Sequence, residues 1–201
     1  MWTILLAALP LASVLAQNAA PPAPMTPLER QRLVAHMEMT HGWLEGELAG
    51  LSGEQFRFRP AAGAWSILEV LDHLLVAEPV YWEDFKQAMR AQPAGRLPNP
   101  ADDGLLWYGI DRGGPQKAIP AELPAARLRD PQAALGTLRG LHAEMSRYAR
   151  TTAADLRAHR VQREMCDAYQ WLLLISAHRQ RHILQIREIK SHPRFPRRAP
   201  R

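Results

Sequence analysis

Three helix-start signatures and a fourth helical stretch, spaced along the chain, restrict what this sequence can build. Thr26-Pro27-Leu28-Glu29 sets a capping threonine before a proline, with a glutamate three positions beyond the cap. The threonine oxygen can take an orphan backbone N–H, the glutamate can reach back, and the proline gives up an N–H that the first turn does not use. Ser66 and Glu69 repeat the capping box, and Asp130-Pro131 repeats the cap-then-proline order. A fourth helix begins near Asp167 and ends near Ser191, where Pro193 and Pro196 stop it. Behind each start, apolar residues recur at helical spacing. The first helix carries Leu33, Val34, Met37, Trp43, Leu44 and Leu48, with Gly50 as its stop; the second carries Leu71, Leu74, Leu75 and Trp82 and ends near Arg90. Leu135, Leu138, Leu141, Met145 and Tyr148 line the third. Pro79 falls inside the second pattern and predicts a kink or a shift of register. No strand alternation, hairpin signal or internal repeat competes with this reading. The expectation is an all-α four-helix bundle with a long crossover loop between helices 2 and 3.

That crossover, residues 92–129, contains Pro93, Pro98, Pro100, Pro115, Pro120 and Pro124 and shows no sustained period. Its centre, Gly104-Leu105-Leu106-Trp107-Tyr108, is too apolar to stand in water. It is expected to fold back over the domain, as a packed excursion or as a lid over a pocket. Asp102 and Asp103 lie within it and could reach a metal.

The N-terminus reads differently. Residues 1–16 carry no charged side chain and are mostly apolar, too short a run for a membrane span, and Val14-Leu15-Ala16 before Gln17 fits a small-residue cleavage site. The expectation is a secretory signal peptide over 1–16, cleaved near Ala16, with an uncleaved N-terminal anchor as the alternative, and a flexible leader over 17–25. The bundle domain then covers 26–196, and a basic tail 197–201. The mature protein would be periplasmic or secreted, with no membrane span. The single cysteine, Cys166, excludes a disulfide framework. The net charge of +5 comes mostly from dispersed arginines. No nucleic-acid recognition motif accompanies it, which argues against a nucleic-acid partner.

The stretch from Trp171 to Ile186 holds the candidate chemistry. His178 and His182 are one turn apart on a face shared with Trp171, Leu174, Ile175, Gln185 and Ile189. Two imidazoles aimed at a core need partners for their ring nitrogens. A hydrogen-bonded pair would suffice; a metal clamp completed by a third ligand elsewhere is the other solution. His36 and His41 are five apart and do not share a face, and His142 and His159 have no partner at ligand spacing.

Three segments together resemble the DinB-like (DinB/YfiT) superfamily of metal-binding four-helix bundles. They are Leu51-Ser-Gly-Glu-Gln-Phe-Arg-Phe-Arg-Pro60, the helix start Gly63-Ala-Trp65-Ser66-Ile67-Leu68-Glu69-Val-Leu-Asp-His73-Leu74, and His178-Arg-Gln-Arg-His182-Ile-Leu-Gln185-Ile186. The closing His192-Pro-Arg-Phe195-Pro196 is similar too. The likeness covers about residues 27–196. It implies a divalent transition metal (zinc, nickel, iron or manganese) held by His73, His178 and His182. Beside these, Gln185 could bond a ligand or a bound water, Trp65 could line the pocket, and Glu69 could act as a base beyond its capping role. The functional expectation is a metal-dependent hydrolase of a small molecule. A non-catalytic metal- or ligand-binding bundle is the alternative, and the resemblance also admits a thiol S-transferase, against which export argues. Bundles of this kind often pair through exposed helix faces, so a homodimer is a further expectation.

Overall fold

Each of the four starts is made by the side chain the sequence places there. The computed structural model describes residues 23–98, 101–113, 123–124, 128–161 and 166–197; the expected signal peptide, residues 17–22 of the leader and most of the basic tail lie outside them. Helix α1 (Pro27–Leu48) opens with Thr26 Oγ1 accepting from the Glu29 N–H at 3.2 Å while Glu29 accepts from the Thr26 N–H at 2.8 Å. A short helix, α2 (Gly53–Arg57), follows, boxed by Ser52 and Gln55. Helix α3 (Ile67–Arg90) starts from the Ser66–Glu69 box. Helix α5 (Pro131–Thr151) starts on Asp130, and α6 (Ala168–Ser191) on a further box of Asp167 with Gln170. Each cap contributes about 1 kcal/mol.

Two expectations change. Residues 92–129 are not without period: Asp102–Ile110 forms helix α4. Leu105 and Leu106 pack on the core, whereas Trp107 faces solvent and is 63% exposed. And α3 passes through Pro79 without a change of register. Leu74, Ala77, Tyr81, Phe85 and Ala88 stay buried in helical sequence, and the proline ring sits on the exposed outer face. There it costs the backbone a hydrogen bond and no packing.

α1, α3, α5 and α6 make the four-helix bundle. α6 lies against α1 and α3, α5 lies against the same two from the other side, and α4 covers the outer flank of α6. Gly109 sets that last contact: a Cβ there would stand 2.8 Å from the Ala177 carbonyl oxygen. The α5–α6 link holds a 3-10 turn (Leu156–Ala158) and two antiparallel two-residue strands, β1 (Arg160–Val161) and β2 (Cys166–Asp167). Arg157 in that turn clamps three helices at once. It binds Glu29 at 3.0 Å, Asp102 at 2.6 and 2.8 Å and Asp167 at 3.1 Å, with its guanidinium over the Tyr169 ring. Asp102 is thereby committed to structure and not to a metal. No helix among the described residues is long and apolar enough to cross a membrane.

The core is two apolar clusters. One surrounds Trp171, Tyr81, Phe85 and Met145; the other surrounds Leu44, Leu71, Leu74, Leu138, Ile183 and Ile186. Between them α6 passes through a polar layer, and the candidate site lies there.

Candidate metal centre

From Ser176 to His182, α6 is buried on every side, and all but Ala177 are polar. A polar group removed from water must find a partner in the protein, and this run can be audited residue by residue. Ser176 Oγ meets His36 Nδ1 at 2.6 Å and Thr40 Oγ1 at 3.1 Å. Gln180 Oε1 accepts from His36 Nε2 at 2.9 Å. Arg179 donates twice to the fully buried Glu78, at 2.9 and 2.5 Å. Arg181 donates to the carbonyls of Tyr108 and Asp111 and so ties down α4 and its end. His36 is thus a satisfied histidine, bonded through both ring nitrogens.

His178 and His182 are left, and their Nε2 atoms turn towards each other and towards α3. His178 Nε2 lies 3.1 Å from His73 Nε2 and 3.1 Å from His182 Nε2. The three ligand atoms all fall within 4.8 Å of one another, and all three residues are buried. A ring nitrogen carries either a proton or a lone pair, so His178 Nε2 cannot make two full hydrogen bonds here. As a donor set the same convergence is natural. Imidazole nitrogens ~2.0–2.1 Å from a tetrahedral ion stand roughly 3.3 Å apart. The residues fit a divalent metal.

The electrostatics agree. Burial, reinforced by the neighbouring His182 and His73, holds the His178 imidazole well below its ordinary pKa. Burial and the proximity of His73 push His182 down to about 3, against a hydrogen bond to Gln185 that raises it. Both rings are therefore neutral near pH 7, the form that ligates. His182 donates its Nδ1 hydrogen to Gln185 Oε1 at 2.8 Å, which leaves the lone pair on Nε2. His178 has no such second partner: its Nδ1 is buried without a hydrogen bond. Tyr81, at 5.3 Å between ring centroids, packs edge-on against it. Trp65 stacks on His182 at 6.3 Å and tilts over His73 at 5.2 Å, half-buried at the start of α3.

Sequence reasoning thus placed His73, His178, His182, Gln185 and Trp65 in one site. Glu69 differs. One oxygen serves the Ser66 cap at 2.9 Å and the other holds Arg59 at 2.5 Å, so its capping and ion-pair roles use the carboxylate. A second cluster was not foreseen. His41 stacks on His142 at 4.0 Å, with Glu38 3.2 Å from His142 Nε2 and Arg179 3.4 Å from His41 Nδ1. Only the packing of α1 against α5 and α6 brings these together.

Known proteins resemble this chain. The YfiT protein from Bacillus subtilis, a probable metal-dependent hydrolase with an unusual four-helix bundle topology, superposes with a TM-score of 0.58 over 85% of this chain and 91% of its own, at 19% identity. At that identity the likeness is one of fold. The uncharacterized protein YuaE of Bacillus subtilis (strain 168) is 29% identical over 152 residues, covering 72% of this chain and 88% of that protein. A model of the DinB superfamily matches residues 37–186, from the middle of α1 to the Gln185-Ile186 step just beyond His182. The chain belongs to the DinB superfamily.

Proposed function

We propose that this protein is a metal-dependent hydrolase of a small-molecule substrate, exported from the cytoplasm. The observation that carries the first part is the convergence of His73, His178 and His182 Nε2 atoms on one point of a buried polar layer. Three neutral ligands leave a divalent ion its full charge and at least one position for water or substrate. Bound there, the ion would polarise a carbonyl and lower the pKa of its water towards ~7.

The chain's own residues supply the rest. Gln185 fixes the His182 ring through Nδ1, and Trp65 shields His73 and His182 from bulk solvent. Arg181 anchors the end of α4 beside the site through two backbone carbonyls. Zinc, nickel, iron and manganese all suit an imidazole donor set. One observation favours the second reading, a metal-binding bundle without turnover: Glu69, one turn before His73 on α3, is engaged twice over and is not poised as a base.

The test is metal content of the full-length protein by elemental mass spectrometry, beside His178→Ala/His182→Ala. About one equivalent of a transition metal, lost in the double variant, is expected for a three-histidine site. A folded wild type that takes up no metal on reconstitution would overturn the proposal. Ester and amide hydrolysis by the loaded protein then separates the two readings. Export is supported by the uncharged apolar run 1–16 ahead of Gln17. It is tested by the mass of the protein recovered from the periplasm of an expressing bacterium, expected to begin near Gln17.

A further inference from the structure

About 100° around α3 from His73, Asp72 lines a different cavity. It is a cleft of about 280 Å3 between the start of α3, the Arg57–Arg59 link and the residues leading into α5. None of the three histidines borders it. Leu68 and Leu128 give it an apolar wall, and Arg57, Arg59 and Arg129 bring three guanidinium groups.

The charges in this cleft do not balance one another. Asp72 is 6% exposed, and its Oδ2 is buried with no hydrogen-bond partner. A buried carboxylate oxygen left unsatisfied is costly, and a native structure that keeps one needs a reason. Three arginines border the same cleft, yet none bonds that oxygen. Arg59 spends its donors on Glu69 and the Ala64 carbonyl. Arg57 gives Nη1 to the Gly53 carbonyl, and Arg129 forms no ion pair with a described residue. The cleft therefore offers a buried carboxylate waiting for a donor and, on the same lining, guanidinium groups waiting for an anion.

A ligand that satisfies both ends must itself carry both charges. We propose that this cleft binds a small zwitterion of the amino-acid class. Its ammonium hydrogen-bonds the Asp72 carboxylate, and its carboxylate meets Arg129 and Arg57 as a charge-assisted, planar pair. The size agrees: pockets for drug-sized ligands run from about 300 to 1,000 Å3, so this one suits a free amino acid or a dipeptide. The site is independent of the metal centre, and its occupancy is read without turnover.

The experiment is a thermal-shift screen of the full-length protein against the proteinogenic L-amino acids and glycylglycine, followed by calorimetry. The best ligand is titrated beside its N-acetylated form and beside inorganic phosphate. At least one free amine is expected to raise the melting temperature and to bind the wild type about tenfold or more tightly than its N-acetylated form. Asp72→Asn is expected to lose that preference, and Arg129→Ala to weaken both forms while keeping its metal content. Arg129 is exposed, so its variant folds and carries the test if Asp72→Asn does not. No shift with any amine means that water alone fills the cleft and overturns the proposal. So does equal binding of the N-acetylated form or phosphate, which would make the cleft a plain anion site.

Discussion

Gln185 accepts the Nδ1 hydrogen of His182 at 2.8 Å, three residues further along the same helix. This one contact selects the tautomer whose Nε2 lone pair faces His178 and His73. Losing such an outer partner typically costs about 10–100-fold in metal affinity. Gln185→Leu is expected to show a loss in that range by competition against a chelating indicator, with helical content unchanged. Gln185→Glu keeps an acceptor and should retain binding. Unchanged affinity in the leucine variant would assign the ring's orientation to packing under Trp65 alone.

Next to His178, Arg179 and Glu78 form a doubly hydrogen-bonded ion pair, 3% and 0% exposed. Removing one charge strands the other. Glu78→Ala is expected to destabilise the protein by about 3–5 kcal/mol in urea unfolding. Replacing both, as Glu78→Leu with Arg179→Met, should recover most of that loss. A mild effect of Glu78→Ala would show that water reaches the pair.

The cap residues and the histidine spacing made much of this legible in the sequence. Thr26, Ser66 and Asp130 were readable because a cap acts on its own next three residues. His178 and His182 were readable because four residues make one turn. Helix α4 was not. It has nine residues, no side-chain cap at Ala101, and an apolar run with no polar face to set a period. Nor was the His41–His142 stack, whose members lie on α1 and α5 and meet only through tertiary packing. Pro79 misled in the other direction: its effect depends on which side of α3 faces water, and it faces out.

That stack should make the fold acid-sensitive. Burial, then the positive charge of His142 and of Arg179, pushes His41 from its ordinary 6.5 down to about 4, with Glu45 and Glu38 pulling the other way. Burial lowers His142 as well. A depressed histidine pKa means that the unfolded chain takes the proton first. Stability is therefore full above pH 6.5 and falls as pH drops from 6.5 towards 4. Glu38 extends the loss. Burial would raise it, but hydrogen bonds from Ser146, Arg150 and His142 hold it down at about 2, so its contribution is lost as pH falls from 4.5 to 2. Melting temperatures across this range should fall less steeply in His41→Asn. An equal slope in both proteins would move the sensitivity to other histidines.

Gly109 is the contact point of α4 on α6. A Cβ there meets the Ala177 carbonyl oxygen at 2.8 Å, Gln180 Oε1 at 3.0 Å and Ala177 Cα at 3.1 Å. Two of these atoms are backbone, so the helices must part. Gly109→Ala is expected to cost about 1–3 kcal/mol and to open residues 102–113 to limited proteolysis. Cleavage no faster than in the wild type would show that α4 is held by Arg181 and Arg157 without the close approach.

α6 is enclosed by α1, α3 and α4, and its middle turn carries two of the three histidines that could hold a metal. An ion bound there would act less like a cofactor seated in a groove than like a rivet through the axle of the fold. Its binding free energy adds to the folding free energy of the whole domain by mass action. Chelation would then not loosen one end of the protein. It would lower a single, shared unfolding transition, so metal scarcity in the surroundings would be felt as a loss of the protein itself as well as of its activity.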